Sequence, residues 1–241
     1  MTRPAFVRFN ALRPQHVNRD LQIHTTATDG EATIEEILAQ AEALGLIEIA
    51  FTEHVRKQSS YVPEFLASVR AARVARRVRV YAGFEVKAED DRGTLDIAPE
   101  ALAQAELILG SVHRFPVDGM LKPASSFGFE EAAQRELELA LGLLRYAPID
   151  VLAHPGGMCQ RAFGRFPDDS FRTLMRVSLE RGIAIEINTS YTQDLDRFLS
   201  LCREMNPLVS VGSDVHRLSD LGACARALTS RGIACEPLSA S

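Results

Sequence analysis

The chain holds six histidines, and five of them close short apolar runs: His24 after LQI, His54 after IAFTE, His113 after LILGSV, His154 after VLA and His216 after VSVGSDV. Two acids share that placement, Glu85 after VYAGF and Asp214 after SVGS. Asp29 lies five residues past His24, in a stretch that turns at an Asp-Gly pair. Taken singly, each residue reads most simply as a hydrogen-bonded histidine or a capping acid. Taken together, they form the imidazole and carboxylate mixture that suits zinc, manganese or iron. About eight such groups exceed the needs of one ion, so a cluster of two or three divalent ions is implied. His16, in RPQHVN, precedes the first run and receives no role.

Residues so far apart in the chain meet only if the elements carrying them are aligned. Seven runs have strand character, with cores near residues 21–24, 47–52, 78–84, 106–112, 149–153, 183–187 and 208–212. Between them lie TIEEILAQAEALG, EFLASVRAARVARR, PEALAQA, EEAAQRELELALGLLRY, DSFRTLMRVSLERG and TQDLDRFLSLCREM, and SDLGACARALTSRG closes the series. All show apolar residues at three- and four-residue spacing. Thr33, followed three residues later by Glu36, is a capping-box start. Strand and helix in alternation predict an α/β domain with a parallel sheet and crossover helices. Periodicity alone leaves an open sheet and a closed barrel equally allowed. The longest polar connections, 86–98 and 114–128, leave the carboxyl ends of strands, where such folds build their sites.

Composition narrows the function. With 46% hydrophobic and 24% charged residues the 241-residue chain is an ordinary globular protein, expected to form a single domain over 1–241. A net charge of −5 argues against an extended nucleic-acid surface. No window approaches the roughly 18 apolar residues of a membrane span, and the amino terminus lacks a signal-peptide core, so a cytoplasmic protein with no membrane partner is expected. Cys159, Cys202, Cys224 and Cys235 form no C-x-x-C pair and read as small buried residues. The basic run RVARRVRV, residues 73–80, reads as a solvated face.

In order, DLQIHTTATDG, FTEH, GFE, GSVH, LAHP, EINTS and GSDVH resemble the motifs of the polymerase and histidinol phosphatase (PHP) superfamily, over about residues 18–217. The resemblance implies a distorted (β/α)7 TIM-like barrel with a trinuclear metal site that hydrolyses phosphate esters. Carried over by position, one ion takes His24, Glu85 and Asp214. A second shares Glu85 and adds His113 and His154, and a third takes Asp29, His54 and His216. Where the family usually reads H-x-H, this chain has Gln22-Ile23-His24, so an amide oxygen from Gln22, or nothing, is expected at the first ion in place of an imidazole.

That chemistry assigns a metal-bridging hydroxide as nucleophile, Glu85 as the carboxylate holding two ions, and Asp214 as the one that helps move protons. Arg114, Lys87 and Arg161 are candidates to hold the phosphate, with Arg114 foremost because a guanidinium matches phosphate oxygens in a planar fork. Asn188 is a candidate to bond the substrate or orient a ligand, with a structural turn role equally open. The first reading is a metal-dependent phosphatase of a small phosphorylated metabolite, similar to histidinol phosphatases. Two others are a phosphodiesterase or exonuclease on nucleotides or short oligonucleotides, and a ligand-binding domain without catalysis, which only Gln22 favours.

Overall fold

The computed structural model describes residues 3–74 and 76–234. Ala75 of the basic run and Cys235 lie outside the described residues; Cys159, Cys202 and Cys224 are buried and unbridged. Seven strands run parallel in chain order: β1 (Arg19–Ile23), β2 (Glu48–His54), β3 (Arg79–Lys87), β4 (Leu107–Ser111), β5 (Val151–Leu152), β6 (Ala184–Asn188) and β7 (Leu208–Gly212). Each pairs with the next. The last returns to the first through a bridge between Ile23 and Val215. There the Val215 N–H donates to the Gln22 carbonyl at 3.1 Å, and the His24 N–H to the Val215 carbonyl at 2.9 Å. The expected distorted (β/α)7 barrel is the fold.

A helix follows every strand, from Ile34–Ala43 after β1 to Ala223–Ser230 after β7. The first shows how the sequence encodes them. Ile34, Ile37, Leu38 and Ala41 make its buried stripe. Its start is fixed reciprocally: Thr33 Oγ1 accepts the Glu36 N–H at 3.3 Å, and the Glu36 carboxylate accepts the Thr33 N–H at 2.8 Å. A cap of this kind is worth about 1 kcal/mol.

Inward positions repeat every second residue along a strand, and here they change character from the amino to the carboxyl end. Ala50, Tyr81, Leu109, Val151 and Ala184 cluster in the barrel interior. The same faces continue as Thr52 and His54, as Glu85, as Ser111 and His113, and as Glu186 and Asn188. The apolar floor orders the strands, and the polar ceiling holds the chemistry.

The seam between β7 and β1 is where the barrel is distorted. Below the Ile23–Val215 bridge the Asp20 side chain replaces the ladder, accepting the N–H groups of Ser213 and Gly222, each at 2.9 Å. Asp20→Ala would orphan both donors at about 1–3 kcal/mol each, so a loss of about 2–6 kcal/mol is expected in denaturant unfolding. Burial pushes the Asp20 carboxyl up to about 6, against those two bonds. A carboxyl raised in the folded state contributes stability that is intact below its unfolded value and lost as pH rises through 6. An offset of about two pH units is worth on the order of 3 kcal/mol. The wild-type protein should therefore lose more stability between about pH 4 and about pH 8 than Asp20→Asn does; equal losses would remove Asp20 as the cause.

Three short strands were not expected. Val7–Arg8 pairs antiparallel with β7. Phe115–Val117 and Met120–Lys122 form a hairpin inside the 114–128 connection, read above as a polar loop. Its turn is Asp118-Gly119, both with positive φ, 51° and 76°. An Asp-Gly pair between apolar residues is a hairpin signal, here obscured by the brevity of its strands. The basic run is engaged: Arg73, Arg76 and Arg79 pair with Glu106, Glu42 and Glu48.

Candidate metal centre

Because the strands are parallel, their carboxyl ends share one rim. His54 closes β2 and Glu85 lies near the end of β3. His24, His113, His154, Asp214 and His216 follow β1, β4, β5 and β7 within a few residues. Asp29 reaches back over the rim from the loop after His24. Gly30 lets that loop close, since a Cβ there would stand 2.3 Å from the His24 carbonyl oxygen.

Glu85 is the hub, and its two oxygens face different histidines. Oε1 lies 2.9 Å from His113 Nε2 and 2.9 Å from His154 Nε2. Oε2 lies 3.2 Å from His24 Nε2 and 3.5 Å from His54 Nδ1. His24 Nε2 is also 3.2 Å from Asp214 Oδ1, and its Nδ1 is 3.7 Å from Asp29 Oδ1. Asp29 Oδ2 lies 3.4 Å from His54 Nε2 and 3.5 Å from His216 Nε2. Three overlapping sets each bring their ligand atoms within 4.8 Å of one another: His24, Glu85 and Asp214; His54, Glu85 and His113; and His24, Asp29, His54 and His216.

The donor set fits divalent ions for a reason beyond its composition. His24 is fully buried, and among the described residues neither of its ring nitrogens has a well-aligned hydrogen bond, although Nε2 lies 3.2 Å from carboxylate oxygens of both Glu85 and Asp214. Buried polar atoms are nearly always paired, and two orphans on one ring flanked by carboxylates are what a bound cation would satisfy. Backbone strain points to the same place. His154 (φ 28°) and Asp214 (φ 53°) lie in the left-handed region that non-glycine residues avoid, and such strain persists where surrounding structure over-determines it.

The charges balance internally. Burial opposes the imidazolium of His24, but the contacts with Asp214 and Glu85 outweigh it and push its pKa up to about 10. Burial likewise disfavours the Glu85 carboxylate, but His113, His154 and His24 hold it well below the usual range. Burial lowers His54, whereas at His113 the nearby Glu85 overcomes burial and raises it.

Above the cluster opens a cleft of two lobes. One, of about 540 Å³, is lined by Arg56, Lys87 and Leu121 beside His54, Glu85 and His113. The other, of about 600 Å³, is lined by Arg161, Tyr191 and Arg217 beside Asp214 and His216. Arg114 borders both and, among the described residues, has no ion pair. Arg161 lies with its guanidinium 3.7 Å from the centroid of Tyr191, which stacks on His154 at 4.2 Å.

Two expectations need correction and a third is qualified. Gln22 does not turn its amide oxygen to the cluster: that oxygen accepts from Asn188 Nδ2 at 2.9 Å, and Gln22 Nε2 donates to Glu85 Oε2 at 3.0 Å. An amide nitrogen spends its lone pair in resonance and is no ligand. Asn188 is fully buried and faces Gln22 and Glu186 rather than the cleft, so it orients a neighbour and does not reach substrate. Lys87 lines the cleft but pairs with Asp96 at 2.9 Å, which counters its charge.

Other site residues escaped the sequence reading. Arg217 directly follows His216 as Arg114 follows His113, a repetition visible in the sequence, and Arg56 lies two residues past His54. Glu186, in EINTS, accepts the His154 N–H at 2.7 Å beneath the cluster. Glu53, in FTEH, accepts from the Thr25 N–H at 2.8 Å and bonds Thr28, holding the loop that carries Asp29. Burial raises both acids, and most of the partners that fix them come from distant parts of the sequence. His16 accepts the Arg13 N–H at 3.0 Å, capping a short helix away from the rim.

A family model for the PHP domain matches residues 20–190, most of the chain. The chain belongs to the PHP domain family. The match spans six of the seven barrel strands and the Asp29 loop, while Asp214 and His216 come after it. A protein of Edwardsiella ictaluri named a "probable phosphatase" is 26% identical over 214 residues, covering 84% of this chain and 80% of its own length. The DNA polymerase/3'-5' exonuclease of Bacillus subtilis is 25% identical over 213 residues, covering 84% of this chain but 30% of that protein. Among solved structures, a candidate histidinol phosphatase from Listeria monocytogenes superposes with a TM-score of 0.72 at 18% identity, covering 88% of this PHP chain and 99% of that one. No helix among the described residues is long and apolar enough to cross a membrane.

Proposed function

We propose that this PHP domain is a metal-dependent phosphoesterase that hydrolyses a phosphate monoester of a small molecule. The observation that carries the reading is the buried His24, whose ring nitrogens have no well-aligned hydrogen bond among the described residues and which is set among the carboxylates of Glu85, Asp214 and Asp29 beneath a cleft rimmed by arginines. His24, Glu85 and Asp214 would hold one ion, Glu85, His113 and His154 a second, and Asp29, His54 and His216 a third. Manganese, zinc and iron all suit these donors. Such ions supply Lewis acidity toward phosphoryl oxygens and a water acidic enough to attack phosphorus.

The chain's own residues do the rest. Glu85 keeps its two oxygens on opposite sides, one toward the His113 and His154 pair and one toward His24. Asp214, nearly buried beside His24 and bordering the second lobe, is placed to take and return a proton. Arg114 offers an unpaired fork to the phosphoryl oxygens from between the lobes. Arg161, steadied on Tyr191, reinforces it from the second. The similarity to "probable phosphatase" relatives of comparable length supports the monoester reading.

A second reading, a diesterase or exonuclease, is favoured by the similarity to the Bacillus subtilis exonuclease. One experiment separates them. The metal-stripped protein, reloaded with manganese, zinc or iron, is offered aryl phosphate, bis-aryl phosphate, a set of phosphorylated metabolites and a short oligonucleotide. Turnover of monoesters above diesters supports the proposal; release of nucleotides from the oligonucleotide with monoesters untouched would overturn it in favour of the second reading.

Arg114→Ala should lower kcat/KM for the preferred ester by about 10–100-fold, the worth of one or two charge-assisted hydrogen bonds. Arg114→Lys should recover only part, because an ammonium lacks the planar fork. Steady-state kinetics with unchanged metal content would check it, and equal activity of all three proteins would exclude Arg114 from the phosphate site.

A further inference from the structure

The bond from Gln22 to Glu85 belongs to a chain of hydrogen bonds that crosses the barrel from β6 to β3. Asn188 Oδ1 accepts two backbone N–H groups, from Ser190 at 2.9 Å and Tyr191 at 3.2 Å. Those donors leave no choice about which end of the Asn188 amide faces the turn. Its Nδ2 therefore points inward, donating to Gln22 Oε1 at 2.9 Å and to Glu186 Oε2 at 3.1 Å. With its oxygen so engaged, Gln22 directs its NH2 at Glu85 Oε2, 3.0 Å away. All three side chains of this relay are buried. Gly212 leaves the space they need: a Cβ there would stand 3.0 Å from the Gln22 Cβ and 2.1 Å from Glu186 Oε1.

From this geometry we propose that Gln22 is a positioning residue for Glu85 and that Asn188 sets its orientation. A carboxylate turns easily about its last torsion, and Glu85 can serve two groups of histidines only while its plane keeps one oxygen directed at each. The Gln22 N–H holds Oε2 on the His24 side, leaving Oε1 to His113 and His154. Gln22 thus acts on the cluster through its neighbour, as a donor, where the family-like position was expected to supply a ligand. The inference rests on the metal-centre reading but is tested apart from it.

Two measurements decide it. In the metal-free protein, and again after loading with diamagnetic zinc, the Gln22 side-chain amide is followed by nitrogen-15 NMR, its signals assigned by their loss in Gln22→Met. At least one proton should exchange with solvent tenfold or more slowly than in an exposed glutamine, in both states. Free exchange of both protons would overturn the relay. In parallel, calorimetric titration with manganese alone should show the weakest class of sites weakened tenfold or more in Gln22→Met. A similar loss is expected in Asn188→Ala, and the double variant should be no worse than the weaker single one. Additive losses, or an unchanged affinity in Gln22→Met while the wild-type protein binds manganese, would overturn the relay and leave the metal reading standing. A wild-type protein that binds no metal would sink that reading instead, and the exchange measurement would still decide the hydrogen bond.

Discussion

Glu85→Gln is expected to lower kcat/KM by on the order of 10³-fold or more, equivalent to at least about 4 kcal/mol of transition-state stabilisation. The substitution changes almost no volume, so the barrel should unfold at nearly the same temperature as the wild type. What it removes is a single negative charge touching His24, His54, His113 and His154 within 3.5 Å. Without it the rim has crowded imidazoles and no bridging carboxylate, and its attraction for cations falls. One amide oxygen remains for two groups of histidines that now each see a different oxygen. Elemental analysis should find metal content reduced together with turnover of an aryl phosphate. A Glu85→Gln protein with full metal and full turnover would remove Glu85 from the centre of the mechanism.

The second large effect is removal of the metal itself. Dialysis against a strong chelator should reduce hydrolysis to background, and manganese, zinc or iron should restore it. Stability should follow. An ion present at about 100 to 1,000 times its dissociation constant stabilises the folded state by about 3–4 kcal/mol. For a domain of this size that corresponds to a rise in Tm of about 6–16 °C. The stripped protein should nevertheless keep its fold, because the apolar floor of Ala50, Tyr81, Leu109, Val151 and Ala184 and the surrounding helix layer lie apart from the rim. Circular dichroism and thermal scans with and without metal check both halves. Full activity after stripping would contradict the proposed chemistry, and an unchanged Tm on reloading would show that these residues bind no ion with useful affinity.

The rim was legible because a parallel barrel turns a position along a strand into a position in space. A histidine or acid at the end of each apolar run must arrive at the same mouth, whichever run it closes, and hence His24, His54, Glu85, His113, His154 and Asp214 could be grouped before any contact was known. The cations were harder. Lys87 and Arg114 both lie within two residues of proposed ligands, yet Asp96 counters one and no described residue forms an ion pair with the other. Arg217 directly follows a rim histidine and Arg56 lies two residues past another, but such placement is a weak signal because most arginines are simply solvated.

By itself the sequence determined the alternation of strands and helices, the capping of the first crossover helix and the kinds of ligand at the strand ends, all of which depend on spacing within a few residues. Only the tertiary structure decided that the sheet closes through the Asp20 seam, that Asn188 is interior, and that Gln22 presents a donor and not an oxygen to Glu85. Those outcomes turn on partners such as Gln22 and Asn188, 166 residues apart, where the direction of one amide is set by backbone donors on another strand and by no local preference of its own.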